Sequence, residues 1–160
     1  MPLLIVLLFI SASTPKTLPE IRSLYGASIS KSSASNQLIA YFTDNPPKNE
    51  VELAYEGAVR MVKAKHVFFP TDKLATYNQG KNLLESALSK APSNLEIRYL
   101  RYSIQHESPG FLGYNKNMVE DRKMLIDKVS EVQDAELKSM IKSFLLKAAK
   151  LNPEEKKLIE

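Results

Sequence analysis

The 160-residue chain contains no cysteine. That absence removes disulfide bonds, thiolate zinc sites, a cysteine nucleophile and a cysteine-linked lipid anchor. Histidine is nearly absent too: His66 and His106 stand alone, with no metal-ligand spacing around either. Glycine is scarce, and Gly80-Lys81 lacks the upstream glycine and the following Ser or Thr of a phosphate loop. Clustered positive charge is missing as well. The adjacent basic pairs Arg122-Lys123 and Lys156-Lys157 directly follow Glu120-Asp121 and Glu154-Glu155. The 22 basic residues are interleaved with 18 acidic ones, so the net charge of +4 describes a solvated surface, not the gathered patch that binds nucleic acid. No nucleic-acid partner, metal or cofactor is expected, and no catalytic residue can be assigned from sequence.

What is present is ordinary globular composition, 44% hydrophobic and 25% charged, at a length that suits one folded domain with its own core. The first ten residues, MPLLIVLLFI, are uncharged and almost wholly apolar, and Ser11, Ala12 and Ser13 follow. The run is too short for a bilayer, which needs about 20 residues. It fits the apolar region of a secretory signal over residues 1–13, although no Lys or Arg precedes it; the alternative is a buried N-terminal strand or helix. The signal reading implies export to a periplasm or the outside, and no stable membrane span in the mature chain.

From there the pattern is helical. Thr17-Leu-Pro-Glu20 has capping-box spacing with proline near the helix start, and Leu18, Ile21, Leu24 and Tyr25 follow at helical intervals. Residues 31–36 (KSSASN) read as a polar break, and a short helix over 37–42 ends before Asn45-Pro46-Pro47. Residues 14–48 therefore form an N-terminal helical arm, with 49–160 as the main domain.

In that domain Asn49 can cap a helix carrying Val51, Ala54, Tyr55, Ala58, Val59 and Val62, and Thr71 can cap one carrying Tyr77, Gly80, Leu84, Ala87 and Leu88. Ser93 or Asn94 opens the next. A helix over 118–132 and one capped by Asp134 complete the set. Val67-Phe68-Phe69 is too short for a strand and is closed by Pro70. The fold class is all-α.

The stretch EIRYLRYSIQ, residues 96–105, is the most chemically distinctive. On a helix at about 100° per residue, Ile97, Leu100 and Ile104 share one face while Leu95, Tyr99, Tyr102 and His106 share the opposite one. A helix apolar on two opposite faces is sandwiched between neighbours. Arg98, Arg101 and Gln105 fall on one flank; Glu96, Ser103 and Glu107 fall on the other. The arginine flank has two readings. It is a site for a carboxylate or phosphate, or it pairs with Glu52, Glu56, Glu120 or Asp121 on adjacent helices. Likewise Phe111 and Tyr114 in the segment SPGFLGYN, residues 108–115, form an aromatic lip, or Phe111 and Leu112 plug the end of the core.

Two helix ends share a pattern. Leu84-x-x-Ala87-Leu88-x-x-x-Pro92 is echoed by Leu145-x-x-Ala148-Ala149-x-x-x-Pro153, where small alanines admit a neighbouring helix and proline forces a turn. With Pro92-Ser-Asn94-Leu-Glu96 as the turn, this resembles the ending of a tetratricopeptide repeat and its inter-repeat turn, over the region from Val51 onward. The echoes are 61 residues apart, not a multiple of the family's 34-residue period. Arg98, Arg101, Tyr102 and Gln105 also stand where the family prefers Trp, Leu, Gly and Tyr.

The resemblance implies stacked antiparallel helix pairs, as a short solenoid or bundle, and a binding scaffold. It carries no functional residue across. The functional expectation is an exported, non-enzymatic protein that recognises a peptide, protein or acidic ligand along a groove near the central helix. Arg98, Arg101, Gln105, Tyr102, Phe111 and Tyr114 are its candidate contacts. A small hydrolase or transferase centred on His106, with Glu107 or Glu120, is the alternative from a different class; a structural subunit of an envelope assembly is the third.

Overall fold

Eight α-helices and three short 3-10 turns account for 78% of residues 16–159, the part of the chain that the computed structural model describes. The expected signal over 1–13 lies outside the described residues. The helices are α1 (Leu18–Ser28), α2 (Ser32–Asp44), α3 (Glu50–Lys63), α4 (Pro70–Lys90), α5 (Leu95–Glu107), α6 (Met118–Lys128), α7 (Ala135–Ala148) and α8 (Pro153–Ile159). No strand occurs among the described residues. The fold is all-α, with helices packed in pairs.

Local chemistry sets most of the starts. The Glu20 carboxylate accepts from the Thr17 amide at 2.7 Å and from its hydroxyl at 2.8 Å. Asn49 Oδ1 accepts from the Glu52 amide at 3.0 Å. Asn94 Oδ1 accepts from the amides of both Glu96 and Ile97, and Asp134 from Leu137. Each such cap satisfies amides that have no partner inside the helix. Helix α4 departs from expectation. It starts at Pro70, one residue before Thr71, because proline at the first helical position loses no hydrogen bond and already has a helical φ.

The KSSASN stretch is not a break. Ser32 through Asn36 form the opening of α2, and Ser28 and Ser35 are both fully buried where α1 turns into α2. Their hydroxyls donate to the carbonyls of Tyr25 (2.6 Å) and Ser28 (3.4 Å). Small side chains permit this corner, and local hydrogen bonds remove the cost of burying them. The described part of the N-terminal arm packs into the body: Ile21, Leu38, Tyr41 and Phe42 join the first core, and the rings of Tyr25 and Tyr55 meet edge-on at 5.4 Å.

Two apolar cores lie on opposite sides of α5. Helices α1 to α4 enclose the first together with Ile97, Leu100 and Ile104; the second joins Tyr102 to Leu125, Val129, Ile141 and Leu145 of α6, its following turn and α7. The two apolar faces read from the sequence thus meet two separate sets of neighbours. Between α3 and α4 the approach is close at paired glycines: a Cβ on Gly57 would stand 2.6 Å from the Gly80 carbonyl oxygen and 2.7 Å from the Leu84 nitrogen. Only glycine lets the two backbones come this near.

Candidate functional site

The arginine flank of α5 is sealed. Arg98 and Arg101 are 6% and 4% exposed. Both grip Asp121, which is fully buried in the first turn of α6. Arg101 holds it with two hydrogen bonds, Nε at 2.6 Å and Nη2 at 2.8 Å, while Arg98 Nη1 donates at 2.7 Å. Arg98 also reaches Glu120 and the Pro92 carbonyl, and Arg101 reaches Glu85 at 3.2 Å. Desolvation opposes the Arg98 charge, yet its bonds to Asp121 and Glu120 outweigh that and raise its pKa. The anion these arginines hold is therefore the protein's own. Of the four acidic candidates, Glu120 and Asp121 are the partners. Glu52 reaches back to the Lys48 amide, and Glu56 pairs with Arg60.

The other expected contacts distribute unevenly. Gln105 is 3% exposed, and neither atom of its side-chain amide has a hydrogen-bond partner. Tyr102 belongs to the second core against Phe144, 5.7 Å between ring centroids. The Tyr114 ring is buried, and its hydroxyl donates to Glu85. Phe111 is different: it is 88% exposed and lines a groove. Of the expected core plug only Leu112 packs on the core; Phe111 does not.

That groove, of about 900 Å³, opens beside the C-terminal half of α5. Tyr99, Ser103 and Ile104 form its floor, with Tyr25 and Ile29 from the end of α1. Met61, Val62 and Ala64 from the end of α3 and the turn after it make one wall, continued by Pro70, Leu74 and Tyr77 of α4. Phe111 and Leu112 with Phe144 and Ala148 of α7 make the other. Three of its hydroxyls are already engaged. Ser103 Oγ donates to the Leu100 carbonyl at 3.0 Å, Ser108 Oγ to the Ile104 carbonyl at 2.7 Å, and the Tyr77 hydroxyl lies 2.8 Å from Ser108 Oγ. Burial raises the pKa of the Tyr25, Tyr77 and Tyr99 phenols, so these rings stay protonated and neutral.

Charge is confined to long side chains around the groove: Lys65, Lys73 and Lys147 on three separate elements, against the single carboxylate of Glu107. His106 also lines it. Its side chain is 34% exposed, its Nδ1 is 3.3 Å from Glu107 Oε1, and its ring packs against Phe144 at 5.8 Å. Among the described residues no three His, Asp or Glu side chains gather as a metal site.

Sequence reasoning missed Glu96. It is 5% exposed on the other flank of α5, where Arg22 donates to both its oxygens at 2.7 and 2.9 Å and the Tyr55 hydroxyl donates at 2.8 Å. Arg22 also pairs with Asp134 and Glu136, so one cluster joins α1, α3, α5 and α7. Beyond Phe111, the lining of the groove was missed because its residues come from five helices and two turns far apart in sequence; Leu74, an apolar residue outside the expected stripe of α4, was a further local signal.

No known protein family matches the chain, and no curated protein or solved structure matches it. No helix among the described residues is long and apolar enough to cross a membrane.

Proposed function

We propose that this is an exported helical-repeat binding protein that recognises, in the groove beside α5, a ligand with an apolar body and acidic character. One observation carries the reading. The groove combines apolar, neutral aromatic walls with three lysines against one glutamate, while the hydroxyls of Ser103, Ser108 and Tyr77 are held in internal hydrogen bonds. Such a lining holds a ligand by burial and orients it by charge at the edge. The helical-repeat part rests on the tight α3–α4 hairpin and on the shared helix endings before Pro92 and Pro153.

The test uses 8-anilinonaphthalene-1-sulfonate, an anionic apolar dye. Wild type is expected to bind one molecule with enhanced fluorescence, and Ser103→Phe, which fills the floor, to weaken binding at least about tenfold with unchanged helix content. Equal binding by both proteins would remove the groove from the proposal. Export is tested separately by fusing residues 1–20 to alkaline phosphatase, which is active only in an oxidising compartment; an inactive fusion counts against it.

A second reading is favoured by His106, which faces the groove beside a carboxylate. A small hydrolase would use this imidazole as a general base. The nearby hydroxyls of Ser103 and Ser108 both donate to backbone carbonyls, which leaves the imidazole no prepared nucleophile. Hydrolysis of a nitrophenyl ester that His106→Gln abolishes would establish this reading over the first.

A further inference from the structure

The geometry points to a specific occupant for the groove: a single acyl chain with an anionic head, the chain between α4 and α7 and the head among Lys65, Lys73 and Lys147. This rests on the reading of the groove as the binding site. The first reason is size. About 900 Å³ falls within the roughly 300–1,000 Å³ of small-molecule sites, and not the broad surface a folded partner covers.

The second reason is polar satisfaction. Every residue of an extended peptide brings an N–H and a C=O that need partners once buried. The hydroxyls of Ser103, Ser108 and Tyr77 are already engaged with one another and with the backbone. An acyl chain makes no such demand. The third reason is where the charge sits. Lysine stems lie along apolar walls while their ammonium groups reach water. Here three elements each contribute one lysine to the lining of the groove, and Glu107 is the one carboxylate among it. Ile29, Leu74 and Phe111, 53%, 48% and 88% exposed, leave apolar surface for the chain to cover.

The experiment is calorimetric titration of the full-length protein with hexadecanoate, dodecanoate, lysophosphatidylglycerol and hexadecyltrimethylammonium below their micelle concentrations, and with an acidic amphipathic peptide. Each buried methylene is worth about fourfold in affinity, so hexadecanoate should bind 1:1 and at least about tenfold tighter than dodecanoate. The cationic surfactant, with the same chain, should bind at least about tenfold weaker, and the triple variant K65Q/K73Q/K147Q should lose about tenfold for hexadecanoate. These lysines are exposed, so the variant keeps its fold. Lysine-dependent binding of hexadecanoate supports a free fatty acid; tighter lysine-dependent binding of lysophosphatidylglycerol supports a lipid head group.

Equal affinity for the cationic surfactant, an unchanged triple variant, or peptide binding without acyl binding overturns the assignment. If the naphthalene dye binds and no acyl anion does, only this inference falls. If the dye fails too, the groove is not a binding site at all.

Discussion

The arginine flank and the groove are both built on α5, within about one turn of each other, and they are opposites. The flank holds two buried arginines whose hydrogen bonds go to Asp121, Glu120, Glu85 and a backbone carbonyl of the same chain. The groove holds about 900 Å³ of space and hardly a free polar atom inside it. A dense set of charged side chains in a sequence marks what the protein does to itself as readily as what it does to a ligand. Burying a charge is costly unless it is paired. Arginines on a sandwiched helix therefore call up partners from the same chain before any ligand arrives.

The largest expected effect comes from breaking the flank. Asp121→Ala leaves two buried guanidiniums without their shared anion, a loss of about 3–5 kcal/mol in chemical denaturation. Adding Arg98→Met and Arg101→Met to Asp121→Leu should recover much of that, because an apolar replacement of a buried ion cluster is often neutral. Continued instability of the triple variant would assign the flank a role beyond pairing.

The next test moves to the wall of the groove. A Cβ on Gly80 would meet the Met61 nitrogen at 2.8 Å, so Gly80→Ala should cost about 1–3 kcal/mol by overpacking. It also presses on Met61, which lines the groove, so ligand affinity should fall with stability. Asn94→Ala removes the acceptor for two amides at the start of α5 and should cost about 1 kcal/mol, measured as a shift in denaturation midpoint.

Acid acts on the ion pairs of the flank and of two other clusters, none of which lines the groove. The Arg98 guanidinium lowers the Glu120 carboxyl; the Leu137 amide and Arg22 lower Asp134; Arg122 and the Asn152 amide bring Glu155 from 4.5 to about 2. Folded values below unfolded ones mean that this stability is complete above about pH 4.5 and is lost as pH falls toward 2. Thermal melts across that window should show the decline, and Glu155→Gln should flatten part of it. The smallest effect on stability belongs to Phe111→Ala, within about 0.5 kcal/mol because the ring is exposed. Yet it should weaken ligand binding severalfold. A variant silent in folding and impaired in binding is the signature that separates groove from flank.

What the sequence makes legible follows from how local each signal is. The two faces of α5 could be read because helical geometry fixes which of Ile97, Tyr102 and Arg98 share a side. The caps at Asn49, Asn94 and Asp134 were legible because donor and acceptor lie within three residues. The opening of α2 was not, because serine runs usually signal turns and only the buried corner at Ser28 and Ser35 explains this one. Helical geometry placed Glu96 on a flank of α5 but could not show that Arg22, 74 positions away, packs against it. Of the six expected contacts only Phe111 lines the groove, whose other walls meet only after folding.

The glycine contact between α3 and α4 has a mechanical consequence. With Gly57 and Gly80 in backbone contact, these helices cannot slide or part without losing that fit, so the wall from Met61 to Tyr77 acts as a fixed jaw. Packed elements shift between discrete arrangements rather than deforming smoothly. On the opposite side α7 and the short Gly110–Leu112 turn, ending at Gly113 in a left-handed conformation, bring Phe144 and Phe111 to the groove. The groove thus has one face fixed by backbone contact and an opposite face held by side-chain packing of α7 on the second core.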